Sequence, residues 1–404
     1  MRIGILTYFN VPNFGAQLQT LSSVGYLRRM GHDPAVINWV PADLEAMYAR
    51  RVPSAQLQAH KEFVETYLPT TSLCRTEEEV VKAIDENGLE AMIHGSDALF
   101  KYEPERTRRH FRKRKMSFVV NKPSISVEGL SGNVFWGHYL SQLKKSIPAS
   151  VYAVSSQNCP YSLLTFRERR RLRDGLKNFH VISVRDEWTR GMVKKIMGNR
   201  YDVPIYPDPV FSLNQNCSQF IPSKEDMLKR FGLPEHYALF SFWSSTLGED
   251  YVKEIAKELE KNGLATVALP MPERLIDYGL DHKIELPLNP MDWYALIKYA
   301  DGYIGERMHP IVVALHNAVP FFSFDEYGTR DQNGFCVDSS KTYHVVKKAG
   351  FEECYFAYHS GEARPSAKLV AERVISFERE KCLAFSKNMQ HCYEEGMRDV
   401  LSKM

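Results

Sequence analysis

Long apolar runs are missing from this 404-residue chain: nowhere does it approach the ~20 consecutive apolar residues that cross a bilayer. Cysteine is sparse and unpaired. Cys74, Cys159, Cys217, Cys336, Cys354, Cys382 and Cys392 are odd in number, scattered and never spaced as CxxC. That pattern excludes a disulfide frame or zinc site and fits thiols in a reducing cytosol. Excess charge is also absent, since a net +3 is too small at this size to imply nucleic acid as the partner. Neither internal repeats nor low-complexity tracts occur. The opening Met1-Arg2-Ile3-Gly4-Ile5-Leu6-Thr7-Tyr8 runs straight into a strand-like segment, with neither the apolar length nor the cleavage site of a signal peptide. His32, His60 and His94 show no HxxH-like spacing or carboxylate cluster, so no metal is expected. The expected location is cytoplasmic.

What is present is a soluble globular composition, 44% hydrophobic and 25% charged, in a chain too long for one ordinary core. Two domains follow. In the first half, Ile3 to Tyr8 reads as a buried strand and Asn10 to Gly15 as a turn-rich loop. Leu18, Leu21, Val24 and Leu27 then predict an amphipathic helix ending near Gly31. Ala35 to Val40 is a second strand, so the chain opens as βαβ and predicts a parallel sheet with ligands at the carboxyl ends of its strands. Residues 41 to 90 read as helical and polar. Further strands are expected at Glu90 to His94, Ser150 to Val154 and Phe179 to Val184. A break rich in proline, asparagine and serine falls between Pro204 and Pro222. A second alternating series follows: strands at Tyr237 to Phe242, Ala265 to Leu269, Gly302 to Ile304 and Pro320 to Phe324, with helices at Glu249 to Glu260, Met291 to Ala300 and Met308 to His316. Residues 366 to 401 read as one long or broken helix. The expectation is an α/β, GT-B-like fold, with two Rossmann-like domains facing a cleft and the C-terminal helix returning to the first. Residues 1–212, completed by 385–404, would form the N-terminal, acceptor-side domain, and 213–384 the C-terminal, donor-side domain.

The richest segment is Gly305-Glu306-Arg307-Met308-His309-Pro310, where a short strand becomes a helix. Such a junction points backbone N–H groups and the positive helix end outward, which favours an anion. Arginine adds a planar fork for phosphate or carboxylate, and histidine a proton that moves near neutral pH. Other polar groups also follow predicted strands. Gly95-Ser96-Asp97 would set a carboxylate over the cleft, or cap a helix. Ser183-Val184-Arg185-Asp186 supplies a second arginine, or a surface ion pair. The Asn13-Phe14-Gly15-Ala16-Gln17 loop could present N–H groups and amides to a sugar or phosphate, or be a plain cap and turn. Phe135, Trp136, His138, Trp243 and Tyr327 could stack on a sugar or belong to the core.

In order and spacing these segments, with Asp208-Pro209-Val210 and Trp293 to Ala300, resemble the polysaccharide pyruvyl transferase family across most of the chain. Arg307-Met308-His309 resembles the family's Arg-Leu-His element, with methionine in the leucine position. Tyr152 to Gln157 departs from the small-residue pattern usual there. The resemblance implies transfer of the pyruvyl group of phosphoenolpyruvate to two hydroxyls of a sugar in a polysaccharide precursor. It implies a cyclic ketal product, released phosphate and no cofactor. Carried over residue by residue, it makes Asp97 and His309 the catalytic pair and assigns donor binding to Arg185, Arg307 and Met308. Acceptor or loop contacts would come from Asn13, Gly15, Gln17 and His138. Two other readings stand beside it: a GT-B glycosyltransferase with a nucleotide-sugar donor, and a non-catalytic carbohydrate-binding relative. Against the first, Glu306 is followed eight residues on by Ala314, so a Glu-x7-Glu pair is absent.

One feature stands outside these motifs. Arg106, Arg108, Arg109, Arg112, Lys113, Arg114 and Lys115 crowd around Phe111. The run 106–115 could hold the pyrophosphate of a lipid-linked sugar acceptor, rest peripherally on the inner membrane face, or be a solvated loop.

Overall fold

The computed structural model describes all residues except 104–105, 113–114, 122–132, 244, 327 and 332–333. Twelve strands build two parallel sheets. The first contains β1 (Arg2–Leu6), β2 (Asp33–Trp39), β3 (Thr70–Cys74), β4 (Ala91–His94), β5 (Ala149–Val154) and β6 (Ile182–Val184), in the order β3-β2-β1-β4-β5-β6. The second contains β7 (Tyr237–Ser241), β8 (Ala265–Ala268), β9 (His282–Lys283), β10 (Gly302–Gly305), β11 (Phe321–Asp325) and β12 (Tyr355–Ala357), in the order β9-β8-β7-β10-β11-β12. Both follow the doubly wound order 3-2-1-4-5-6. The crevice therefore lies outside the carboxyl ends of the strands, where the strand order reverses. Central strands β4, β5, β7, β10 and β11 are buried at every residue, as parallel strands covered on both faces must be.

Two expectations need correcting, and a third segment takes the broken form among its expected alternatives. The stretch expected to be helical between 41 and 90 contains β3, of whose five residues only Thr71 and Cys74 are buried, without a continuous apolar run. The first helix, Phe14–Arg29, is not one-sided, because Gln17, Gln19, Thr20, Ser22 and Ser23 are buried along with its leucines. It lies between the first sheet and the second half, and its polar groups find internal partners, such as Ser22 Oγ donating to the Pro209 carbonyl at 2.6 Å. Residues 366 to 401 form two helices, Ala367–Ile375 and Arg379–Ser402. The first packs on the Glu249–Glu260 helix of the second half. The second returns to the first sheet, where Tyr393 meets Tyr26 and Tyr152 edge-on at 5.4 and 5.6 Å.

Of the arginine-rich run at 106–115, the described residues fall on two antiparallel strands, Arg106–Arg112 and Lys115–Asn121. Its side chains, like Tyr327, lie outside the described residues. Among the described residues, no helix is long and apolar enough to cross a membrane.

Candidate functional site

Among the non-glycine residues with positive φ are Asp97 after β4 (+94°) and Arg307 after β10 (+73°). Such backbones are uncommon for residues with a Cβ and gather at functional sites. Both residues border one cavity of about 460 Å³, together with Asn13, His309 and Lys341.

Behind the cavity lies a buried chain of charges. The Arg185 guanidinium donates Nη1 to Asp208 Oδ2 at 2.8 Å and Nη2 to Asp97 Oδ1 at 3.3 Å. All three side chains are less than a tenth exposed. Asp208 Oδ1 accepts from the Val210 N–H at 3.0 Å, and its other oxygen lies 3.6 Å from His309 Nε2. Burial pushes the Asp208 carboxyl up. The neighbouring His309 imidazole, with the Arg185 guanidinium, outweighs that and brings it down to about 2. Asp97 behaves likewise: burial raises it, but Arg185, Lys341 and His309 hold it below the usual carboxylate range. Both carboxylates are thus ionised at neutral pH.

The structure brings Asp97, Arg185, Asp208 and His309 together from opposite halves of the chain, and sets Arg307 and Met308 beside them. Arg185, however, is not a wall of the cavity. Its fork is spent on two carboxylates, so it fixes them instead of facing solvent. Arg307 does border the cavity, with its guanidinium 4.7 Å from the Trp243 ring centroid and 3.3 Å from Glu273 Oε1. Glu306 points away, accepting from the Trp243 N–H at 2.6 Å and the Tyr358 hydroxyl at 2.7 Å.

Asn13 caps the Phe14–Arg29 helix by accepting from the Ala16 N–H at 3.2 Å, and it borders the cavity. Gly15 allows a close approach: a Cβ there would fall 2.0 Å from His309 Cγ. Two expected contacts are misplaced. Gln17 is fully buried, with both ends of its amide on His60, so it presents nothing to the cavity. His138 packs over Gly175, on the helix Phe166–Leu176 beside β6, and is not among the cavity's walls. Phe135 and Trp136 are core.

Lys341 was not anticipated. It opens the Lys341–Ala349 helix, whose cap, Ser340, is held by Asp325. Burial, with Arg185, pushes its amine down to about 8 despite Asp97 and Asp208. A signal existed. Lysine at a helix N-terminus opposes the helix dipole, as does the Arg307-Met308-His309 start of the Met308–His316 helix. Three helices that start at this cavity, at Phe14, Met308 and Lys341, carry no acidic residue in their first turns, whereas Ala42–Ala49, which lines it with Leu44, Met47 and Tyr48, carries Asp43 and Glu45. Cations stacked on positive helix ends are mutually unfavourable until an anion joins them.

A search of curated proteins finds no match. Among solved structures, a glycosyltransferase from Rickettsia africae ESF-5 is similar at TM-score 0.50 with 9% identity, over 99% of this chain and 97% of that one. LpCGTa in complex with UDP is similar at 0.50 with 12% identity, over 100% and 98%. Likeness at this identity concerns the fold, a two-domain α/β architecture of the GT-B type. In sequence, the profile of polysaccharide pyruvyl transferase matches residues 13–326, from the Asn13 loop through both sheets and every charged group of the cavity except Lys341, and the chain belongs to that family.

Proposed function

We propose that the protein transfers the pyruvyl group of phosphoenolpyruvate to two hydroxyls of a sugar in a polysaccharide precursor, forming a cyclic ketal and releasing phosphate. The observation that carries this reading is the convergence of Arg307, Lys341 and three helix N-termini on the cavity that holds Asp97 and His309. A donor with a phosphate and a carboxylate meets two fixed cations there, each hydrogen bond to a charged group contributing ~1.5–3 kcal/mol.

Asp97 and His309 carry the proton transfers, each held by a neighbour: Asp97 by Arg185, His309 by Asp208. Protonating the methylene carbon of the donor leaves an oxocarbenium-like centre at C2. A sugar hydroxyl attacks C2 and gives up its proton to the site. The bond from C2 to the phosphate oxygen then breaks, and the second hydroxyl closes the ring. Of the two hydroxyl protons, one balances the new methyl group and the other leaves on phosphate. Arg307 and Lys341 face the growing charge on that phosphate.

A nucleotide-sugar donor fits less well. The recess beside β7 and β8, walled by Ser241, Pro270, Met271 and Trp293, holds only about 30 Å³, about the volume of a single water. The test is incubation with phosphoenolpyruvate and a panel of aryl glycosides, read by mass spectrometry for an added pyruvyl group. Arg307→Ala and His309→Ala should abolish the product, and wild-type turnover in either removes the proposal. Phosphoenolpyruvate at ~100 times its dissociation constant should add ~2.7 kcal/mol to stability. Stabilisation by a nucleotide sugar alone favours the glycosyltransferase reading.

A further inference from the structure

Phe166 is 72% exposed, the most exposed large hydrophobic among the described residues, and Leu163 beside it is 50% exposed. They sit at the start of the Phe166–Leu176 helix, whose sequence Phe166-Arg167-Glu168-Arg169-Arg170-Arg171-Leu172-Arg173 is dominated by arginine. Leu172, Gly175 and Leu176 form its buried stripe. On the opposite side Phe166, Arg170, Arg173 and Lys177 follow at i, i+4, i+7 and i+11, all of them exposed. The carboxylates of this helix have local duties. Glu168 closes the Thr165 capping box and accepts from the Tyr102 hydroxyl, and Asp174 lies 3.8 Å from Lys177.

We propose that this face docks on an anionic membrane surface, with Leu163 and Phe166 entering the headgroup boundary and the basic stripe lying over lipid phosphates. The two halves of the surface call for the same partner. A basic stripe alone would suit any polyanion, and an exposed apolar tip alone any apolar partner. An amphipathic helix with arginines beside an exposed phenylalanine matches an interface that is charged outside and apolar beneath. The tip is braced by its surroundings. Tyr161 packs edge-on against Trp188 at 4.8 Å, Trp188 Nε1 donates to the Cys159 carbonyl, and Lys195 Nζ donates to the Ser162 carbonyl. Six residues before Leu163, Gln157 contributes to the cavity wall. The proposal does not depend on phosphoenolpyruvate being the donor.

The test is sedimentation of the full chain with vesicles of phosphatidylcholine containing roughly one-third phosphatidylglycerol, against phosphatidylcholine alone. Binding is expected only to the anionic vesicles. Each surface cation adds about fivefold to partition, so Arg170→Gln/Arg173→Gln/Lys177→Gln should weaken it roughly 100-fold. Leu163→Ser/Phe166→Ser should remove the part that resists high salt. Arg173 also donates Nε to the Ile196 carbonyl at 2.7 Å, so the triple variant should melt slightly below wild type, while the double variant melts as wild type and turnover on a soluble glycoside matches wild type in both. That separates failure of docking from failure of the catalytic reading. Wild-type protein left in the supernatant, undiminished binding by the triple variant, or preference for heparin with no vesicle binding would each overturn the proposal.

Discussion

Replacing Asp208 with asparagine tests the buried charge chain on which the site is built. The change keeps the side chain's shape and an acceptor for the Val210 N–H, and removes one charge from between Arg185 and His309. Asp208 titrates at about 2 in the folded protein against an ordinary 3.8. A depressed carboxylate contributes stability that is present above the ordinary value and lost as pH falls through the folded one. The contribution is roughly 2–2.5 kcal/mol at neutral pH. Breaking a buried pair outright costs ~3–5 kcal/mol, but Asp97 still neutralises Arg185, so the lower figure should govern. Asp208→Asn should therefore melt roughly 2–3 °C below wild type at pH 7, the unfolding entropy of a chain this long being on the order of 0.85 kcal/mol/K. The gap should close as both proteins are taken from pH 4 towards pH 2. Turnover should fall ~10²–10⁴-fold, because His309 loses the group that steadies its proton. Calorimetry across that pH range, with initial rates, decides the matter. A variant that melts within about 1 °C of wild type and keeps full turnover refutes the idea that this chain holds the catalytic pair.

Gly15→Ala places a methyl group 2.0 Å from His309 Cγ and 2.4 Å from its Nδ1, so the ring must move. Displacement of a catalytic group by ~1 Å costs about 100-fold, and kcat should drop by that order while donor KM changes little. Lys341 loses its charge as pH rises through about 8. Donor kcat/KM should therefore fall above that pH in wild type, and Lys341→Met should lack that limb of the profile. Gln56 joins the two halves by accepting from the Leu288 N–H at 2.7 Å and donating to the Leu288 carbonyl at 2.9 Å, in a fully buried setting. Gln56→Ala strands both backbone groups and should cost about 2–5 kcal/mol by denaturant melts.

Much of this architecture could be read in advance because its elements are locally decisive. Continuous apolar runs such as Tyr237-Ala238-Leu239-Phe240-Ser241 have one comfortable place, the centre of a parallel sheet. The Met308–His316 helix was bounded correctly from its apolar spacing alone. The edge strand Thr70–Cys74 was missed because an edge needs no such run. Side-chain roles depend on what lies opposite, which spacing does not encode. Gln17 and Asn13 look alike in a polar loop, yet one is enclosed with His60 while the other borders the cavity. Arg185 reads as an open clamp until Asp208, more than twenty residues on, is folded against it. Lys341 lies beyond the family's matched segment, on a helix whose start could have been flagged only by a cation where helices prefer an anion.

The distribution of charge gives the cavity a direction. Asp97, Arg185 and Asp208 come from the first half and sum to one negative charge, with Arg51, Lys101 and Glu103 of the same half further along the cavity wall; Lys341 and Arg307, the latter paired with Glu273, come from the second. A trianionic donor placed against the two carboxylates would be repelled. Placed against Arg307, Lys341 and the starts of the Met308–His316 and Lys341–Ala349 helices, the same donor relieves the repulsion among those positive groups. Under the proposed function, the donor would then face the second half, and the sugar hydroxyls, which need proton acceptors, the first. His309 stands at the junction. It is carried by the second half, steadied by a carboxylate of the first and pressed against the Gly15 turn. A proton leaving a hydroxyl on one side and reaching carbon or phosphate on the other would pass this ring, so charge placement and proton path require the same closed arrangement of the halves.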